Sequence, residues 1–216
     1  MTSFDFNNIS TLYSKPEALS MQDLNGLLRV HLKQIPQKAA LELPRICFTE
    51  IDQAFLIWGW MTMAIFSLAQ FSTLSWTTQA LIDSAITGIS VATTAGLTWK
   101  LASEERLRWV VFLWSGLMMT GMLATSYGIF HGVIVILANL CLLWLSLCVV
   151  GYGAMGIWMR SRAFSASCIV HILAIIGLHY YPSFQFVGSG LVMAATLFFF
   201  SFVPWDMGTS DSDIPC

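Results

Sequence analysis

A stripe of polar residues runs along the apolar segment between Trp76 and Trp99. Its members are 4, 4, 3 and 4 residues apart, which places them on one face of an α-helix. Hydroxyl, amide and carboxyl groups in such a row can line a path for protons or a polar substrate. The five residues are Gln79, Asp83, Thr87, Ser90 and Thr94.

Asp83 is the acidic member of this stripe and lies seven residues after Trp76. An ionised Asp near the centre of a transmembrane helix costs about 2.5–3.5 kcal/mol on insertion scales. That cost predicts a partner, a bound proton or water beside the carboxyl group. Asp83 is therefore either a protonatable site in a transport path or a structural group. In the second case it bonds to a neighbour such as Asn139 and fixes helix register.

Four polar residues of later segments complete the set of candidates. Asn139 and His171 fall at depths that can match Asp83, and His131 and His179 fall near one end. If the second, fourth and fifth segments are neighbours, these four residues and Asp83 surround one cavity. His171 has a buried, hydrogen-bonded core histidine as its alternative. His131 and His179 are the candidates for a haem held between two histidines. Their alternative is that both side chains face water at the interface and have no ligand. No other cofactor and no metal site is predicted.

The composition assigns the chain to the membrane proteins. It has 216 residues, of which 56% are hydrophobic and 10% charged, with a mean hydropathy of +0.71. A soluble domain carries about 25% charged residues, so the lipid bilayer is the first expected partner. The net charge of −2 offers no basic excess for nucleic acid. The five cysteines contain no CxxC pair, so no disulfide framework is expected.

Six apolar segments follow residue 53, and each is close to the ~20 residues that cross ~30 Å of hydrocarbon. The connections are short, which makes successive helices antiparallel. We therefore predict an all-α integral membrane protein, a six-transmembrane-helix antiparallel bundle. The methionines and phenylalanines are predicted to face lipid or to pack. The segments cover residues 54–73, 77–98, 109–128, 132–156, 163–181 and 186–204.

The basic residues predict the orientation of the bundle. All ten Lys and Arg precede the first segment or fall in the loops after the second and fourth. By the positive-inside rule, both termini are then cytoplasmic. Nothing in the sequence distinguishes one membrane from another; the plasma or inner membrane is the default expectation.

The chain divides into three parts. Residues 1–48 are a cytoplasmic segment with a loose tail and an amphipathic helix over 21–35, followed by the transmembrane domain over 49–205 and a tail over 206–216. Residues 20–45 can lie on the membrane surface, pack on the bundle or dock a soluble partner or another membrane subunit. Thr49 and Asp52 have the spacing of a capping box that opens the first span.

The stretch GYGAMG, from Gly151 to Gly156, has the glycine spacing of a dinucleotide-binding loop. It lies inside a transmembrane segment with no preceding strand. We therefore interpret it as close helix packing through small residues and reject nucleotide binding.

The sequence favours a non-catalytic accessory, assembly or regulatory module that acts through protein contacts. The alternative is a small transporter or proton-coupled channel that uses the polar stripe with Asp83. Transporters often contain broken helices. Pro is absent from the interior of every span, and this absence argues against the transporter alternative. A haem-binding redox protein is a further alternative. An enzyme is disfavoured because no catalytic spacing is present.

Overall fold

The computed structural model of the chain describes residues 28–29, 47–104 and 108–203. All but one of its helices are long and apolar enough to cross a membrane, which gives the six predicted spans. The exception is the short α4. A single 3-10 turn, Pro182–Phe184, precedes the last helix. The helices are α1 Glu50–Phe71, α2 Trp76–Glu104, α3 Arg108–Phe130, α4 Ile134–Ala138, α5 Leu140–Trp158, α6 Arg162–His179 and α7 Gln185–Phe202.

Two short strands precede the bundle. β1 (Leu28–Arg29) pairs antiparallel with β2 (Cys47–Phe48), with Leu28 opposite Phe48. The predicted helix over 21–35 is therefore wrong at Leu28 and Arg29. Their backbone groups pair with another strand and cannot also bond within a helix. The rest of that helix, like the tail over 206–216, lies outside the described residues.

The predicted capping box at the start of α1 is confirmed. The backbone N–H of Asp52 donates to Thr49 Oγ1 at 3.2 Å, and the N–H of Thr49 donates to Asp52 Oδ2 at 2.8 Å. Both residues are buried. The cap satisfies two backbone donors that the first turn of a helix leaves without partners, so the start of α1 is fixed by its sequence.

α1 and α7 form the most extensive helix pair of the bundle. They run antiparallel, since the Phe48 and Phe202 rings meet at one end at 5.6 Å. At the other end the backbone N–H of Val187 donates to Gln70 Oε1 at 3.4 Å. The pair thus joins the beginning and the end of the transmembrane part.

The glycines of GYGAMG do pack helices together, as predicted. A Cβ on Gly156 would lie 3.2 Å from Cα of Ser165 on α6, and one on Gly151 would lie 2.8 Å from the Trp114 ring on α3. α5 therefore touches α6 and α3 through positions with no side chain, which is the small-residue packing typical of membrane helices.

The fourth predicted segment, 132–156, is interrupted. Gly132, with φ of +62°, ends α3: the N–H of Val133 donates to the Gly128 carbonyl and that of Gly132 to the Ile129 carbonyl. This is a Schellman cap. α4 then makes little more than one turn, and the backbone leaves the helix at Asn139, with φ −113° and ψ 22°. The membrane-crossing helix is accordingly α5, which begins at Leu140.

The two ends of the bundle differ in charge. Within the described ranges, one end carries the loops after α2 and α5, with Lys100, Arg108, Arg160 and Arg162. We call it the basic end; α1 begins there. The loops at the opposite, neutral end cover residues 72–75, 131–133 and 180–184 and contain no Asp, Glu, Lys or Arg.

Candidate functional site

A cavity of about 210 Å³, the large cavity, occupies the half of the bundle nearer the basic end. All six spans or their ends line it, from Ile51 and Ala102 at the basic end to Phe66 and Trp144 deeper in. Among the described residues on its walls there is no Asp, Glu, Lys, Arg or His. Its polar groups are a few hydroxyls such as Thr62 and Ser115, together with the Cys148 thiol. Such a lining suits an apolar ligand.

Methionine is the characteristic side chain of the large cavity. Five of the eight described methionines line it: one each from α1, α3 and α7, and two from α5 and its C-terminal cap. All five are buried and three belong to the packed hydrophobic core, in agreement with the expectation that the methionines face lipid or pack. No sequence signal reveals the set, because its members lie on different helices and do not share a period. Flexible thioethers adapt to ligands of varied shape. They are Met61, Met118, Met155, Met159 and Met193.

A second cavity of about 50 Å³, the small cavity, lies nearer the neutral end and contains Asp83. Gln79, Ser84 and Ser126 also line it. Asp83 is its sole ionisable wall residue in the described part of the chain. Oδ1 of Asp83 is buried and accepts no hydrogen bond from any residue that the structure describes. The carboxyl group thus faces a cavity with part of its hydrogen-bonding capacity unused.

Four residues line both cavities and form the wall between them, which we call the constriction: Ile65, Phe66, Thr87 and Trp144. Trp144 is fixed there: its indole N–H donates to Thr125 Oγ1 at 3.2 Å, and its ring packs on Gly121. Phe66 is held against Gly190 of α7. Phe66 and Trp144, the two large aromatic side chains of the constriction, are therefore packed against neighbouring helices.

The polar stripe of α2 faces this interior. Four of its members are buried, with Thr87 only 2% exposed, and Asp83 is half-buried. The opposite face of α2 is open, with Ile89 68% exposed. The bundle does not enclose α2, because among its substantial contacts α2 packs only on α1 and α3. Gly88 and Ala92 lie on this open face. A Cβ on Gly88 would meet nothing within 4 Å, in contrast to Gly156, and Ala92 is exposed.

Two members of the stripe have hydrogen bonds that hold the fold. Nε2 of Gln79 donates to Ser72 Oγ at 2.7 Å and to the Leu74 carbonyl at 3.3 Å, which ties α2 to the loop before it. Thr94 Oγ1 donates to the Ser90 carbonyl at 2.7 Å and accepts from Trp58 Nε1 at 3.2 Å. These bonds account for the polar groups at both ends of the stripe, and leave Asp83, Thr87 and Ser90 as its central members.

Asn139 and His171 do not join Asp83. The amide of Asn139 donates to the Val135 carbonyl at 2.8 Å, and its side chain is exposed. His171 is fully buried; Nδ1 lies 2.8 Å from the Ser167 carbonyl and the ring is 5.1 Å from that of Tyr152. The assumed adjacency of the second, fourth and fifth spans is not found, because α6 packs on α5 and α7 while α2 packs on α1 and α3.

The remaining histidines lie at the neutral end. The His131 ring stacks on Tyr127 at 4.5 Å and the His179 ring meets Tyr180 at 5.8 Å. Both side chains are exposed, and neither lines a cavity. A haem between them stays a prediction from the sequence.

The chain matches no protein-family model, no curated protein and no solved structure.

Proposed function

We propose that this protein is a small membrane transporter that binds an apolar or amphipathic molecule inside its helix bundle. The observation that carries the proposal is the alignment of the two cavities along α2, with Ile65, Phe66, Thr87 and Trp144 common to both. Together they extend from Trp76 and Phe186 at the neutral end to Ile51 and Ala102 at the basic end. A single rearrangement at the constriction would connect them.

The lining supports a ligand that is mainly apolar. Side chains of Met, Trp and Phe are prominent in the lining of the large cavity, and its volume of about 210 Å³ leaves these side chains without packing partners on one side. A ligand that fills the void recovers the lost contacts. Asp83 supplies the protonatable group of the path, and the break at Asn139 places the start of α5, Leu140, on the wall of the small cavity. We further propose that the basic end faces the cytoplasm.

Reconstituted protein tests the proposal through one pair of variants. Ala95 lines the large cavity, whereas Ala92, three residues earlier on the same helix, is exposed on its open face. Ala95→Phe fills the cavity, so we expect it to abolish uptake of a fluorescent amphipathic dye into proteoliposomes. Ala92→Phe adds the same ring toward lipid and should leave uptake unchanged.

Equal uptake by the wild type, both variants and protein-free liposomes would contradict the proposal. The accessory module acting through protein contacts would then be preferred. That alternative depends on residues 20–45, of which the structure describes only Leu28 and Arg29.

A further inference from the structure

The small cavity combines one carboxyl group with aromatic rings. Trp76, Phe186, Phe66 and Trp144 all line it beside Asp83, and the rings of Trp76 and Phe186 are 5.8 Å apart. The faces of aromatic rings attract cations, and Trp does so most strongly. A carboxylate that shares a cavity wall with such rings has the chemistry that recognises an organic cation.

No cationic side chain of the described residues takes this place. Within the described part of the wall there is no Lys, Arg or His, and Oδ1 of Asp83 has no hydrogen-bond donor there. An ionised carboxylate away from water needs a counter-charge. The described cations of the bundle lie at its basic end, on the far side of the large cavity. Asp83 is therefore neutralised either by a bound proton or by a cation that enters the cavity, and the second case makes the small cavity a cation-binding site.

The lining of the large cavity indicates which chemical group the cationic ligand carries beside its charged head. The large cavity begins directly beyond Phe66 and Trp144. α2 lines it from Thr87 to Ala102, which is a distance of about 22 Å along the helix axis. Its described walls carry no formal charge and only scattered hydroxyls. An apolar chain that passes the constriction would thus find an apolar surface continuous with the cationic site.

We propose that the ligand is an organic ammonium ion with an apolar tail. Its head binds at Asp83 among the four rings, and its tail lies in the large cavity. This inference rests on the proposed function, since it names the ligand class of the same two cavities. It also assigns different parts of the ligand to different residues, so the two ideas can fail separately.

Binding of three ligands with the same chain to the full protein in nanodiscs provides the test. The probes are decyltrimethylammonium, decanol and decanoate, with empty nanodiscs to subtract partition into lipid. We expect decyltrimethylammonium to bind at least about tenfold more tightly than decanol, and decanoate to bind least, given the usual strength of cation–π and ionic contacts. Asp83→Asn should remove the preference for the ammonium ion and leave binding of decanol unchanged.

Further variants keep the test decisive if Asp83→Asn fails to fold. Trp76→Leu retains the carboxyl group but removes one ring, so it should reduce the ammonium preference in part. Trp60→Leu, at a lipid-exposed Trp of α1, is its matched control and should have no effect. Asp83→Glu keeps the charge and should keep the preference.

Each result separates the two proposals. Equal binding of ammonium ion and alcohol by the wild type, or an unchanged preference in both Asp83→Asn and Trp76→Leu, would overturn the ammonium assignment and leave the apolar cavity standing. Failure of all three ligands to bind above the empty-nanodisc level would overturn the assignment together with the proposed function.

Discussion

Phe66 and Gly190 are in contact across the interface of α1 and α7, so closely that a Cβ on Gly190 would lie 2.5 Å from the Cβ of Phe66. This contact connects the fold to the candidate site, because Phe66 is part of the constriction between the cavities. The position of α7 therefore determines where the Phe66 ring can lie.

Gly190→Ala should destabilise the protein by about 1–3 kcal/mol, because the added methyl group overpacks the interface. The comparison is Gly88→Ala on the open face of α2, where a Cβ would have no neighbour within 4 Å. That control should be neutral or slightly stabilising, since Ala is the better helix former by about 1 kcal/mol. Unfolding by SDS titration, followed by circular dichroism, measures both. Equal effects of the two variants would contradict the described interface.

The capping box of α1 predicts a loss of stability in Thr49→Ala. The side chain of Thr49 accepts from the N–H of Asp52, and removal of such an N-cap costs about 0.5–2 kcal/mol. Thr93→Ala, at an exposed position within α2, should change the unfolding free energy by no more than about 0.5 kcal/mol. If both variants unfold alike, the cap contributes nothing measurable.

Gly132 gives a conformational prediction that involves no steric clash. Its φ is +62°, yet a Cβ there would meet nothing within 4 Å. Gly132→Ala should therefore cost about 1–2 kcal/mol through the left-handed backbone alone. Gly177→Ala, where a Cβ also meets nothing but φ is negative, should not destabilise. Thermal unfolding of the two proteins in the same detergent distinguishes them; a harmless Gly132→Ala would exclude the cap.

The arrangement of helices predicts which cysteine pairs can be linked. Gln70→Cys with Val187→Cys should form a cross-link with a short bis-maleimide, because these residues are hydrogen-bonded across α1 and α7. Asp83→Cys with His171→Cys should not, because α2 and α6 pack on different neighbours. Mass spectrometry of digested protein locates the links among the native cysteines. An efficient link between positions 83 and 171 would require a different helix order.

Much of the fold could be predicted from the sequence, because local signals determine it. The length of the apolar segments predicted the six spans, the Thr49–Asp52 spacing predicted the cap, and the glycines of GYGAMG predicted close packing. The break at Asn139 was not predicted: the residues on both sides of Asn139 are apolar, and apolarity alone does not show where the backbone leaves the helix.

Only part of the candidate site could be predicted from the sequence. The spacing from Gln79 to Thr94 identified one inward face of α2, because periodicity reports on a single helix. It could not show that Asn139 faces outward, that His171 packs on Tyr152, or that methionines of several spans share a cavity. Those relationships depend on which helices are neighbours, and the short loops of this chain are compatible with several orders.

The most direct test of the account is native mass spectrometry of the full protein, extracted gently from its own membrane. The account predicts a bound small molecule on the wild type and on Ala92→Phe, with its mass absent from Ala95→Phe, whose new ring occupies the large cavity. Bare protein in all three samples, or the same bound mass in all three, would contradict the claim that this cavity is the binding site.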